Sequence, residues 1–175
     1  MSLKHTVKQL RKIRVDALFG KKKHFNAADR KEKVNNRVGS VIVLLNIFTG
    51  SVFCYLIFDN DTDSAKYIGA FIAFTGALLV AVRDYFNLCP QIDGHRIVAN
   101  RYLELAKKCD RINAYILDGA LSENQIIEKI EELSSEIAEI NLDANSYPTN
   151  MDDYSKAQKG FQVGEELYTE EELNT

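Results

Sequence analysis

Residues 38–58 read VGSVIVLLNIFTGSVFCYLIF and contain no charged side chain. A helix of this length, at about 1.5 Å per residue, reaches roughly 31 Å, which is close to the roughly 30 Å hydrocarbon thickness of a bilayer. The favourable insertion energies of its Val, Ile, Leu and Phe residues outweigh the cost of one amide, Asn46. The stretch therefore predicts a first transmembrane helix. The alternative is a helix buried in a soluble core.

A second apolar run, YIGAFIAFTGALLVAV, occupies residues 67–82. It is flanked by Lys66 and Arg83, whose long stems can carry their charges to the membrane surface. Because the first helix breaker is Pro90, we expect the second span to cover residues 67–88. Residues 59–66 then form a short external loop. Together the two spans predict a transmembrane hairpin, with a buried core helix again as the alternative.

Charge predicts how the hairpin is oriented. Residues 1–37 hold twelve Lys or Arg and three acidic residues, whereas the loop at 59–66 carries three Asp and one Lys. Because cytoplasmic flanks are enriched in Lys and Arg, both termini are expected in the cytoplasm. The basic residues expected at the lipid surface are Lys21, Lys22, Lys23, Lys31, Lys33, Arg37 and Arg83. A polyanion is the alternative partner of this segment, but no specific nucleic-acid site is evident.

Outside the spans, the pattern predicts further helices. Within residues 1–37, residues 3–18 form a basic amphipathic helix, which lies either on the inner leaflet or on the chain's own helices. Gly20 and the lysines after it are expected to end this helix, and a second one is expected from about residue 26 into the first span. After a loop at 90–94, two apolar seams follow heptad-like steps. They are Val98, Tyr102, Leu105, Cys109, Ile112 and Ile116, then Ile126, Ile130, Leu133, Ile137 and Ile140.

The two seams predict an antiparallel helical hairpin within residues 91–160. Gly119 is placed to end its first helix, and Ser122 with Gln125 forms a capping box that opens the second. A short helix from about Asp152 and an acidic tail at 161–175 follow. The outer face of the second helix carries Glu128, Glu131, Glu132, Glu136 and Glu139. These glutamates are either solvated or docked on the basic N-terminal helices.

The sequence contains little that suggests catalysis. His5, His24 and His95 lack partners at the spacing of metal ligands, and there is no glycine-rich phosphate loop or recognisable nucleophile. Residues 93–95, Asp-Gly-His, are interpreted as a turn. We therefore predict a protein that is not an enzyme, with no catalytic residue, metal or cofactor.

The most specific residues lie inside the spans. Gly69, Ala73, Ala77 and Ala81 recur every four residues, and such a stripe allows helices to approach closely. Its partner is either the chain's own first span or the second span of a neighbouring protomer. Asn46, Thr49 and Gly50 share one side of the first span, where the amide specifies pairing or lines a narrow aqueous path. Since two spans cannot enclose a pore alone, conductance requires a homo-oligomer.

Five stretches of this layout resemble a known family. They are the basic opening LRKIRVDALFGKKKHFNAADR, the two spans, HRIVANRYLELAKKCDRINAYI, and the closing NSYPTNMDDYSKA. The arrangement, over roughly residues 5–160, is similar to the SLATT domain, a two-transmembrane effector family found beside bacterial nucleotide-signalling and reverse-transcriptase genes. The closing stretch resembles the family's late motif, here Asn150, Asp153 and Tyr154.

The resemblance implies a multi-pass protein of the bacterial inner membrane that acts in anti-phage defence. Such an effector stays inactive until a nucleotide signal or a partner, from a nucleotidyltransferase or reverse-transcriptase system, triggers it. It then oligomerises, perforates the membrane and stops growth, as in abortive infection. The alternative is a non-conducting, membrane-anchored adaptor whose cytoplasmic helical hairpin binds a soluble partner.

Overall fold

The fold is entirely helical over the residues that the computed structural model describes, 4–58 and 63–165. In chain order the helices are α1 (Lys4–Phe58), α2 (Asp63–Tyr85), α3 (Leu88–Leu117), α4 (Glu123–Ala144) and α5 (Met151–Gln162). The all-α fold predicted from the sequence is confirmed. Residues 59–62 of the predicted external loop and residues 166–175 of the acidic tail lie outside the described ranges.

The chain divides into two compact units, which we call the hairpin and the bundle. The hairpin is Asp29–Ile92, and it contains most of α1 and all of α2. The bundle comprises the described residues up to Ala28 and from Asp93 onward. It therefore contains the start of α1, most of α3, and all of α4 and α5.

Within the hairpin, α1 and α2 run antiparallel. The contacts that establish this direction are Gly69 with Val52, Gly76 with Leu45, and Arg83 Nε with Asn35 Oδ1 at 2.8 Å. Rising residue numbers along α2 thus meet falling numbers along α1. Only 6% of the most apolar window of each helix is buried. That exposure favours lipid as the surroundings of both helices and disfavours the alternative of two core helices in a soluble protein.

The bundle has one apolar core, to which α1, α3 and α4 contribute. Both predicted seams line this core, and Leu10, Ile13 and Ala17 of α1 are buried in it. The amphipathic start of α1 therefore packs on the chain's own helices. Its pattern had left two placements open, the inner leaflet and the chain's own helices, and the structure contains the second. Gly119 ends α3 with φ +66°, and the predicted capping box of Ser122 and Gln125 opens α4.

The predicted break at Gly20 is wrong, because α1 continues through it without interruption. A Cβ at this position would lie 2.9 Å from the ring of Tyr102 in α3. Glycine is therefore explained by the close approach of an aromatic ring rather than by a helix end. The lysines that follow remain helical, and Lys22 Nζ pairs with Glu165 at 2.5 Å.

The predicted end of the second span and the loop at 90–94 are also wrong. α2 ends at Tyr85, and Asn87 makes the bend with φ +48°, a left-handed conformation that Asn tolerates better than most residues. α3 already begins at Leu88. Pro90 is the third residue of that helix, where a backbone N–H has no partner inside the helix, so proline costs little there.

Candidate functional site

Two histidines from distant parts of the sequence meet inside the bundle. His24 of α1 is 3% exposed and His95 of α3 is fully buried, and their Nδ1 atoms lie 3.1 Å apart. A hydrogen bond at this distance requires one Nδ1 to carry a proton and the other to accept it. We call these two residues the histidine pair.

The expectation that His24 and His95 have no partner is therefore wrong, as is the interpretation of residues 93–95 as a turn. All three residues lie in α3. The signal that could have revealed the pair is the register of the seams: His95 precedes Val98 by three positions, and His24 follows Gly20 by four. His95 thus continues the first predicted seam, and His24 continues the side of α1 on which Ile13 and Ala17 are buried.

Burial is the main influence on the charge of His24. Together with His95 and Lys23, it lowers the pKa of His24 from 6.5 to about 4, while Asp153 opposes the shift. The ring of Tyr102 lies 5.9 Å from His24, and that of Tyr147 lies 5.9 Å from His95. His24 is therefore neutral at neutral pH, and each histidine has a tyrosine ring beside it.

The late motif docks beside this pair. Asn150 caps α5, and its side chain and that of Asp153 exchange hydrogen bonds of 3.0 Å with each other's backbone N–H groups. Asn26 Nδ2 donates to the Asp153 carbonyl at 3.0 Å. Tyr154 packs its ring edge on Phe19 at 4.9 Å. The motif thus fastens α5 to α1 at the level of His24.

A groove of about 480 Å³ runs along the bundle between α1 and α4, a volume within the usual range of ligand pockets. Lys12, Phe19 and Lys23 line it from α1, and Ser134 and Asn141 line it from α4. With Asp16 and Tyr102, which also line it, the groove offers two ammonium groups, one carboxylate and two aromatic rings. Within residues 4–58 and 63–165, no group of three or more His, Cys, Asp or Glu side chains could hold a metal ion.

The small-residue stripe of α2 is divided between two surroundings. Gly69 lies against α1, where a Cβ would approach Val52 to 2.9 Å. Ala73, Ala77 and Ala81 are exposed. Most of the stripe is therefore not used for packing inside the described part of the chain.

Asn46 is the polar residue of the spans that its own helix does not satisfy. The hydroxyls of Thr49, Ser51 and Thr75 donate to the carbonyls four residues earlier, at 2.8 to 3.0 Å. Asn46 is exposed as a residue, its Oδ1 lies 3.7 Å from a Cβ built on Gly76 of α2, and no hydrogen-bond partner for the amide lies among the described residues. Gly50, one turn further along the helix, is exposed with nothing within 4 Å of a Cβ built on it.

The predicted membrane-surface cations do not form one group. In the bundle, Lys22 and Lys23 lie over the rings of Phe161 and Phe19 at 5.0 and 6.0 Å, and Lys21 is half-buried. The others lie in the hairpin, where Arg83 contacts Asn35, Lys31 hydrogen-bonds Gln91, and Lys33 and Arg37 are exposed.

The acidic face of α4 is largely solvated. Glu136 pairs with Lys108 of α3 at 2.7 Å, and Glu132 pairs with Lys129 of its own helix at 2.7 Å. Glu128, Glu131 and Glu139 are exposed and pair with no cation in the described part of the chain. The alternative of a face docked on the chain's own basic N-terminal helix is thus not what the structure contains.

Comparison with known families now decides the classification. The model of the SMODS and SLOG-associating 2TM effector domain family 4 (SLATT_4) matches residues 7–172. The chain belongs to this family. The resemblance noted from the sequence is confirmed, and the chain is a membrane protein of a family described as effector domains. The searches of curated proteins and of solved structures gave no significant match.

The bundle of the SLATT_4 domain brings three of the stretches that carried the resemblance into contact. The basic opening supplies His24 and Asn26, the stretch at 95–116 supplies His95, and the closing stretch supplies Asp153. The two spans form the hairpin. The late motif is thus part of the packing of the bundle, whereas Ala73, Ala77 and Ala81 of α2 are exposed in the hairpin.

Proposed function

We propose that this SLATT_4 domain is an oligomerising effector of bacterial anti-phage defence that opens a pore in the inner membrane. The spans of several copies line the pore, and both termini of each copy lie in the cytoplasm. Membership of a family of two-transmembrane effector domains supports the effector role. The opening stops the growth of an infected cell, as in abortive infection.

The observation that carries the proposal is the exposure of Ala73, Ala77 and Ala81 on a helix long and apolar enough to span a membrane. In lipid, close packing and interhelical hydrogen bonds drive association, because lipid tails are as apolar as the side chains they touch. Small residues allow the backbones of two helices to approach. A second copy of α2 is therefore the partner that we assign to this face.

The exposed Asn46 amide supports the same proposal. An amide in the hydrocarbon region gains by finding a partner, and a neighbouring copy supplies another amide. Together with Thr49 and Gly50, it then borders the path between the copies. An interhelical hydrogen bond of this kind contributes only about 0.6 kcal/mol on average, so Asn46 selects the pairing and the small residues supply the packing.

The bundle is the part that receives the trigger. The groove lined by Lys12, Lys23 and Phe19 has the charge and the aromatic surface to accept a nucleotide signal. A sensor protein from a nucleotidyltransferase or reverse-transcriptase system is the other trigger. In either case, the bundle passes from a resting arrangement to one that permits assembly of the spans.

The test is the membrane potential of bacteria that express the full chain, followed with a voltage-sensitive dye. Wild type is expected to depolarise the membrane and arrest growth, and Ala77→Leu to do neither. The larger side chain overpacks the face between copies, at a cost of about 1–3 kcal/mol per contact. The matched control is Leu78→Ile, a change of shape at the exposed neighbouring position, which is expected to behave as wild type.

Equal depolarisation by wild type and Ala77→Leu, at the same membrane abundance, would contradict the packing that we propose. If wild type alone does not depolarise the cell, the measurement is repeated with the neighbouring genes and phage present. An unchanged potential under those conditions would favour the adaptor. In that case the bundle, with its exposed acidic face on α4, presents a binding surface and the hairpin is only an anchor.

A further inference from the structure

The bundle carries two exposed charged faces of opposite sign. On α1 the basic face consists of Lys4, Lys8 and Arg11, and on α4 the acidic face consists of Glu128, Glu131 and Glu139. All six side chains are exposed, and within residues 4–58 and 63–165 none of them forms an ion pair. Two other charges on these elements do find partners: Arg14 pairs with Asp110, and Glu136 pairs with Lys108.

We propose that the basic face of α1 in one copy binds the acidic face of α4 in the next copy. This inference rests on the proposed assembly and names a surface outside the membrane that takes part in it. We assign this contact a head-to-tail arrangement, in which each copy binds two different neighbours, and repetition of such a contact generates a ring or an open filament. A ring is the geometry that a pore requires.

The lengths of the two charged rows along their helices are compatible. Lys4 and Arg11 are seven residues apart, which is about 10 Å along a helix, and Glu128 and Glu139 are eleven apart, about 16 Å. The acidic row is thus long enough to cover the basic row. Each face also has an exposed apolar side chain at its edge, Val15 at 53% and Ile127 at 47% exposure, so the contact is able to exclude some water.

Exposed ion pairs are individually weak, and salt screens them. Copies held in one membrane nevertheless meet at a high effective concentration, so several weak pairs are enough to direct assembly. Three pairs together change an association constant by about tenfold or more. Assembly through these faces should therefore decrease at high salt.

Charge reversal with complementation tests the contact in the full chain. One variant carries Lys4→Glu, Lys8→Glu and Arg11→Glu, and the other carries Glu128→Lys, Glu131→Lys and Glu139→Lys. When either variant is expressed alone, the amount of multimer is expected to fall about tenfold, since like charges then face each other. A mixture of the two variants, co-expressed, is expected to regain them, because each copy then meets a complementary face. The readout is the mass of the detergent-solubilised assembly at low and high salt.

The matched control keeps the charge, with Lys4→Arg, Lys8→Arg and Arg11→Lys, and is expected to assemble as wild type. Multimers that persist in both reversal variants would overturn the inference, as would a mixture that fails to regain them. Neither result bears on the stripe of α2, which the Ala77→Leu variant tests separately. Failure of this contact and failure of the proposed function are therefore distinguishable.

Discussion

Acidification from pH 7 to pH 4 is expected to lower the free energy of unfolding of the bundle by about 3 kcal/mol through His24 alone. The folded state holds the pKa of His24 down at about 4, mainly through burial, whereas the unfolded chain has the ordinary value of 6.5. Between these two pH values the unfolded state binds the proton and the folded state does not. The stability contributed by the neutral ring is therefore complete above pH 6.5 and is lost as the pH falls towards 4.

Thermal unfolding of the full chain in detergent, followed by circular dichroism across this pH range, measures the effect. His24→Gln is expected to be less stable than wild type at neutral pH and to show a smaller loss on acidification. The control is His5→Gln, because His5 is exposed at the start of α1. If His24→Gln and wild type had the same pH dependence, His24 would not be a histidine that burial keeps neutral.

Replacing Gly94 with alanine is expected to destabilise the bundle by about 1–3 kcal/mol, although alanine normally favours a helix by about 0.8–1 kcal/mol. Gly94 is a helical residue of α3, and a Cβ there would fall inside the ring of Tyr147. The ring must then move away from His95, on which it packs. The measurement is again thermal unfolding of the full chain.

Gly39→Ala is the matched control, since Gly39 is also helical and has nothing within 4 Å of an added Cβ. It is expected to be neutral or slightly stabilising. Gly94→Ala is also made in a Tyr147→Ala background, where the ring that clashes is absent. In that background it should lower the stability by less than it does in the wild-type background. Equal stability of Gly94→Ala and Gly39→Ala would show that the close packing of Tyr147 is not required.

The helices were predictable wherever local chemistry determines them. An uncharged stretch at 38–58 has few alternatives to a membrane helix, and heptad-like steps from Val98 and from Ile126 identified the faces that the structure buries. The capping box at Ser122 and the left-handed Gly119 follow from backbone requirements that few other residues meet. In each case the cause lies within a few residues of its effect.

The errors have the opposite origin. Gly20 was expected to end a helix, but its lack of a side chain admits the ring of Tyr102, which is more than eighty positions away in the sequence. Gly94 likewise admits Tyr147, and it was taken for part of a turn. The histidine pair joins residues 71 positions apart. None of these contacts is visible from local propensity, because a glycine or a histidine in the sequence does not identify the residue that it will meet.

The exposed stripe on α2 is the feature on which the proposed function depends most. Its spacing was visible in the sequence, but the side of the helix that packs on α1 was not. The structure turns Gly69 and Gly76 towards α1 and leaves Ala73, Ala77 and Ala81 exposed. The assignment of these three alanines to a neighbouring copy is what an experiment must test.

Disulfide cross-linking in the membrane tests that assignment most directly. The exposed Cys54 and Cys89 are first replaced by Ser. One cysteine is then introduced, through Ala77→Cys at the exposed stripe or, as the control, through Leu79→Cys at a half-buried position. At high membrane density, where mass action favours assembly, an oxidant is expected to join Ala77→Cys chains into dimers and to leave Leu79→Cys chains monomeric. Monomers alone from Ala73→Cys, Ala77→Cys and Ala81→Cys would contradict the account.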